Sequence, residues 1–210
     1  MTILENYELI GGHVGRQVSV VVAAKGRTDA EIKEVYRAGG KLFGENTVQK
    51  GAERFDFYHL LNVNVHMLGH LQSNKVKEAV RVFDCIETID SIELAKKVDE
   101  EAGEIGKQIL ILLQVNISND SNKFGFKAED VEQAVVEIQK LKNCILVGLM
   151  TITSMENNRE DYKAMKQLYD KVSIKHKYYL SMGMSDSYKI AVEEGSNMIR
   201  IGTAIFGPRQ

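Results

Sequence analysis

The sequence predicts an α/β fold with parallel strands, a single (β/α)8 TIM-type barrel over residues 1–210, from three observations. Eight short runs are apolar and partly β-branched, as strands buried on both faces are. Segments of helical period lie between them. The chain has 210 residues, a length suited to one sizeable core. Strand then helix, repeated, suits a doubly wound open sheet as well as a barrel, and eight units in this length favour the barrel.

In chain order the runs are residues 18–24, 41–44, 65–69, 83–88, 109–115, 145–150, 178–181 and 198–202. The first is mostly valine; the fifth and sixth are dominated by Ile and Leu. Between them, Leu94, Ala95, Val98 and Ala102 share one helical face behind the predicted cap Ser91, and Val131, Ala134, Val135, Ile138 and Leu141 share another. The only proline is Pro208, and no low-complexity or Pro/Ser-rich stretch marks an internal boundary.

A formal charge of -2, from 27 basic and 29 acidic residues without a basic block, gives no field to gather nucleic acid or anionic lipid. Cys85 and Cys144 are the only cysteines and form no CxxC pair, which points to reduced core thiols and a reducing compartment. The first ten residues carry Glu5 and Glu8 and no basic region before an apolar run, and no apolar stretch approaches the ~20 residues of a membrane helix. A cytoplasmic monomer is expected. No HExxH, CxxC or carboxylate cluster has metal spacing, so no metal is expected. Gly11-Gly12-His13-Val14-Gly15 follows no strand and lacks the GxGxxG frame, and no GxxxxGK[ST] motif occurs.

Lys25 ends the first run, at the carboxyl edge where parallel barrels and open sheets both keep their sites. A desolvated amine there would be biased towards its neutral form and able to attack an aldehyde; on this local feature alone a lysine emerging into water is the favoured account. In the last run strand alternation sets Arg200 opposite Ile199 and Ile201. A guanidinium so buried pairs either with a structural carboxylate such as Glu45 or with a ligand. Gly202 and Thr203 follow, where backbone N–H groups can approach a phosphate.

Ser185 is read as the cap of a helix running towards Glu194, with its hydroxyl facing an anion, after the seventh run. The ends of the seventh and eighth strands are where many barrels bind phosphate. Asn46 projects towards the same mouth, with turn or helix capping as the other account. His66 points inward by alternation, as a satisfied core histidine rather than a catalytic one. Lys75 and Lys123 sit in polar segments with no signal separable from solubility.

Laid out in this way, the chain resembles the pyridoxal phosphate homeostasis protein family, whose barrel is similar to the N-terminal domain of alanine racemase. The resemblance runs nearly end to end through Ala24-Lys25, Phe43-Gly44-Glu45-Asn46, the run from His66 to Lys75, Gln114-Val115-Asn116-Ile117-Ser118, Gly148-Leu149-Met150-Thr151-Ile152, Leu180-Ser181-Met182-Gly183-Met184-Ser185 and the run from Arg200 to Gly207. It implies that Lys25 is the Schiff-base lysine for pyridoxal 5′-phosphate, that Asn46 lines the cofactor, that Arg200 lies beside the pyridine nitrogen, and that Ser185, Gly202 and Thr203 contact the phosphate. Two features depart from the family pattern: Ala24 replaces a serine, and seventeen residues precede Val18 in place of a longer helical segment.

The resemblance implies a non-catalytic protein that holds the cofactor as a reversible imine in intracellular pyridoxal phosphate homeostasis, with apo-enzymes as recipients. The alternative is a pyridoxal-dependent enzyme such as an amino-acid racemase. That reading needs a second domain to supply an acid/base group, and only seven residues follow Thr203. A third reading, a Schiff-base aldolase or other phosphate-binding barrel, needs an acid/base partner near Lys25.

Overall fold

Eight strands pair in sequence order and close into a barrel: β1 (Ser19–Ala23), β2 (Leu42–Glu45), β3 (Asn64–Met67), β4 (Cys85–Ile89), β5 (Ile109–Val115), β6 (Cys144–Thr151), β7 (Tyr179–Ser181) and β8 (Met198–Ile201). The computed structural model describes residues 1–153 and 158–208. All eight neighbouring pairs are parallel, and β1 closes on β8 with Val21 opposite Arg200 and Val22 opposite Ile201. The predicted strands are all present, with ends moved by a residue or two. Phe83, for example, belongs to the end of a helix, its N–H bonded to Ala79, so the fourth strand starts at Cys85.

The helices are α1 (Ile3–Val14), α2 (Asp29–Arg37), α3 (Val48–Glu53), α4 (Phe55–Leu61), α5 (Val76–Val82), α6 (Ile92–Glu104), α7 (Val131–Ile138), α8 (Asn158–Lys171), α9 (Tyr188–Glu193) and α10 (Thr203–Phe206). The starts of α1, α2, α3 and α6 are written in the sequence. Thr2 and Thr28 close capping boxes with Glu5 and Glu31, and Thr47 and Ser91 accept from Lys50 and Leu94, each such cap being worth about 1 kcal/mol. The predicted faces of α6 and α7 are buried: Leu94, Ala95, Val98 and Ala102 on one, Val131, Ala134, Val135 and Ile138 on the other.

Alternation along each strand sorts side chains into two layers. Val22, Phe43, Ile86, Ile111, Leu113, Ile199 and Ile201 face the helices in the main core, where each large side chain contributes about 1.5–3 kcal/mol by burial. The interior is filled by two smaller clusters, Cys85, Leu112, Val147 and Met150, and Val21, Leu68 and Met198. Because all strands run the same way, the loops after β1, β2, β7 and β8 share one face, the C-terminal mouth. Among the described residues no helix is long and apolar enough to cross a membrane.

Candidate functional site

The barrel interior holds a buried polar chain between its two apolar clusters. His66 on β3, Glu87 on β4, Ser181 on β7 and Arg200 on β8 are all buried. His66 Nδ1 lies 2.7 Å from Glu87 Oε1; an ionised carboxylate only accepts, so Nδ1 carries the proton. Ser181 donates to Glu87 Oε2 at 2.6 Å and accepts from Arg200 at 2.6 Å. The guanidinium also donates to the Thr151 carbonyl at 2.8 Å, and its nearest approach to Glu87 is 3.9 Å.

Burial pushes the Glu87 carboxyl upward, but the His66 hydrogen bond, the His66 and Arg200 charges and the Ser181 hydroxyl outweigh it, leaving Glu87 below its ordinary value. Burial lowers Arg200, against the attraction of Glu87. A carboxylate does lie near Arg200, but it is Glu87 and not the suggested Glu45. Glu45 faces outward from β2 and accepts from Arg54 at 2.7 Å and from Tyr58 at 2.9 Å. Strand alternation places residues 45 and 200 on opposite sides of the wall.

Ser185 is not a helix cap. α9 begins at Tyr188 with Ser187 at its N-cap, and Ser187 Oγ accepts from Met184 N–H at 3.2 Å. Ser185 Oγ instead accepts two main-chain N–H groups, Gly202 at 3.3 Å and Ala204 at 3.1 Å. Gly202 leaves the β8 ladder here. A Cβ on it would sit 3.3 Å from the Ala23 carbonyl, so the end of β1 and the turn after β8 are in close apposition. Thr203 is exposed beside them.

Lys25 stands two residues beyond β1 in a turn and is exposed, as the solvated-lysine account has it. Its loop is anchored on both sides. Ala24 N–H donates to the Gly44 carbonyl at 2.9 Å, and buried Arg27 donates to the Gly207 carbonyl at 2.5 Å with its guanidinium 5.0 Å from the centre of the Phe206 ring. Arg54 donates to the Arg27 carbonyl from below. Asn46, half-buried at the end of β2, has its main chain pressed against Gly69: a Cβ there would lie 1.9 Å from the Asn46 carbonyl oxygen, so only glycine is accommodated.

Arg200 thus lies on β8, Lys25 in the turn after β1, Asn46 just after β2, Ser185 in the β7–α9 loop, and Gly202 and Thr203 where β8 passes into α10. Glu87, Ser181 and Thr151 complete the interior and were not singled out by sequence. The available signal was a charged residue alternating inward with Cys85 in the fourth run. Lys123 also gains a distinct place, its ammonium nitrogen buried in the β5–α7 loop and 3.7 Å from Asp120. Nearby, His70 stacks on Phe124 at 3.7 Å between ring centres and lies 3.1 Å from Asp90.

The profile of the alanine racemase N-terminal domain matches residues 2–210. The pyridoxal phosphate homeostasis protein of Pasteurella multocida (strain Pm70) is 33% identical over 202 residues, covering 91% of this chain and 87% of that protein. Among solved structures, PipY of Synechococcus elongatus PCC7942 without PLP superposes with a TM-score of 0.90 at 32% identity, over 98% of this chain and 100% of that one. PipY with PLP bound gives a TM-score of 0.85 at 31% identity over the same shares. Alanine racemase of Clostridium difficile 630 shares the fold at a TM-score of 0.76 and 17% identity, over 97% of this chain and 56% of the racemase.

Proposed function

The chain belongs to the pyridoxal phosphate homeostasis protein family, and we propose that it binds pyridoxal 5′-phosphate at the barrel mouth as a Schiff base on Lys25, storing and releasing it to apo-enzymes without catalysing a reaction. The observation that carries this reading is the convergence of the Gly202 and Ala204 amides on Ser185 Oγ, beside the β1–β8 pair that bears Arg200 and leads into the Lys25 turn.

The donor set suits the ligand. Two amides and the Ser185 and Thr203 hydroxyls offer neutral donors for a phosphate, in a recess that a Cβ at position 202 would narrow. When bound, pyridoxal phosphate supplies an aldehyde that condenses with an amine and a pyridine ring that withdraws electrons. Lys25 contributes the amine from the first loop, and Asn46 lines the adjoining strand end. Arg200 is the group for the ring nitrogen. A guanidinium does not give up its proton, so it can donate a hydrogen bond there without protonating the ring, which makes the ring a weaker electron sink and favours holding over carbanion chemistry.

The test is absorption spectroscopy with intact mass after borohydride reduction, on wild type and Lys25→Ala incubated with pyridoxal phosphate. A stable single adduct in wild type alone is expected. Absence of adduct in both would reassign the site to a phosphate ligand without an aldehyde, and Lys25-dependent racemisation of an amino-acid panel would overturn the non-catalytic part of the reading.

A further inference from the structure

Glu87 is a buried carboxylate with no ligand contact in the reading above, and its manner of pairing with Arg200 is unusual for a structural ion pair. A carboxylate placed to neutralise a buried guanidinium closes on it directly, often through two parallel hydrogen bonds. Here the nearest oxygen stays 3.9 Å away and the Ser181 hydroxyl stands between the two. The single hydroxyl proton is committed to Glu87 at 2.6 Å, so the oxygen must accept from Arg200, also at 2.6 Å; the relay has one direction. His66 occupies the other Glu87 oxygen at 2.7 Å and prevents the carboxylate from turning towards the guanidinium.

The result separates two tasks that a direct pair would merge. Glu87 offsets the charge of a largely buried cation, whose isolation would be costly. It does so without occupying the guanidinium fork. Ser181 takes one N–H at NH1 and the Thr151 carbonyl takes one at NH2. A guanidinium has five N–H groups, so three remain uncommitted to these partners.

We propose that Glu87 is a positioning residue for the ligand ring: acting through Ser181, it fixes Arg200 and balances its charge while leaving N–H groups of the guanidinium available to a ring nitrogen. This rests on the pyridoxal phosphate reading. The charged and titratable groups around it are His66 from β3, Cys85 on its own strand and Arg200 from β8. Tyr162 of α8 bears electrostatically on Arg200, and Lys25 is the other cation on β1's side of the mouth. Without the Glu87 charge the interior becomes more positive, which disfavours a proton on the nitrogen that joins Lys25 to its ligand.

Wild type, Glu87→Gln and Ser181→Ala, each checked for folding by circular dichroism, are titrated with pyridoxal phosphate, and the absorption of the lysine adduct is followed from pH 5 to 10. In Glu87→Gln the midpoint of adduct protonation falls by about one pH unit, the size of shift expected when a nearby counter-charge is lost. In Ser181→Ala both charges remain, so the midpoint holds while affinity drops about tenfold through the loosened guanidinium. Unchanged midpoint in a folded Glu87→Gln overturns the proposal. Should Glu87→Gln not fold, unchanged affinity in Ser181→Ala overturns it instead. A wild type that forms no adduct refutes the ligand reading itself and the proposal with it, an outcome distinct from both.

Discussion

The main-chain N–H of Gly202 donates to the Ser185 hydroxyl oxygen at 3.3 Å, joining the segments after β7 and β8 across 17 residues of sequence. With Ala204 as second donor at 3.1 Å, one neutral oxygen occupies a point that two amides address. A phosphate oxygen arriving there competes with or extends the same contacts.

Ser185→Ala is therefore expected to weaken pyridoxal phosphate binding about fivefold to tenfold, the cost of about 1 kcal/mol for one hydrogen bond, while leaving pyridoxal without a phosphate nearly unaffected. Absorbance titrations with both ligands check this. Equal losses for the two would remove Ser185 from the phosphate contact.

Arg54 and Glu45 form a second, outward ion pair, with side-chain exposures of 14% and 1%. Removing the arginine leaves a buried carboxylate with Tyr58 as its hydrogen-bond donor among the partners described. Arg54→Ala is expected to cost about 3–5 kcal/mol in urea unfolding, and replacing both charges by apolar residues of similar volume to cost less. Arg54 also holds Asp29 at 2.9 Å and the Arg27 carbonyl, so the single variant should also loosen the Lys25 loop, visible as faster amide exchange there.

Glu87 sets a pH dependence whose sign follows from its lowered pKa. A carboxyl held below its ordinary value of 4.5 in the folded state adds stability above that value and loses it as pH falls through the native value. The expected result is a fall in unfolding free energy below about pH 4.5 that is steeper in wild type than in Glu87→Gln by up to about 1.4 kcal/mol per pH unit, one proton's worth. Urea unfolding from pH 3 to 6 measures it; parallel curves would mean that Glu87 takes up no proton in this range on unfolding.

Cys85 and Cys144 are both buried and free. Burial pushes the Cys144 thiol up to about 12, with Asp99 adding to it, and raises Cys85 well above its ordinary value. Neither should react with a disulfide reagent in the native protein at pH 8, and both should react on unfolding. A fast native reaction at either would show that its strand opens.

Much of this architecture was legible along the chain because it is set by neighbours. Runs of Val, Ile and Leu marked the strands, and Ser91 with the Leu94, Ala95, Val98 and Ala102 face marked α6. The inward direction of Arg200 followed from Ile199 and Ile201. Its carboxylate did not, because the partner lies on a strand half the barrel away, and no local pattern relates position 87 to 181 or 200. Ser185 was misjudged for a related reason. A serine near a helix start satisfies the capping pattern, but Ser187 is the residue at the helix entrance, and the amides Ser185 meets belong to another segment. At Lys25 the valine run left burial and solvent both open with solvent favoured, and the strand ends at Ala23 with the turn carrying the side chain into solvent.

The closure of β1 on β8 also orders events in time. Ribosomal synthesis delivers Lys25 well before Arg200, Gly202 and Ala204, and Val21 meets Arg200 only when the ring shuts. On the proposed reading, a nascent chain exposes the Lys25 amine before the opposing half of the pocket exists, and ligand capture becomes a report of the closed ring. A ligand that bridges the two strands would act as a clasp on that junction, favouring the closed ring by mass action and making release a step coupled to its loosening.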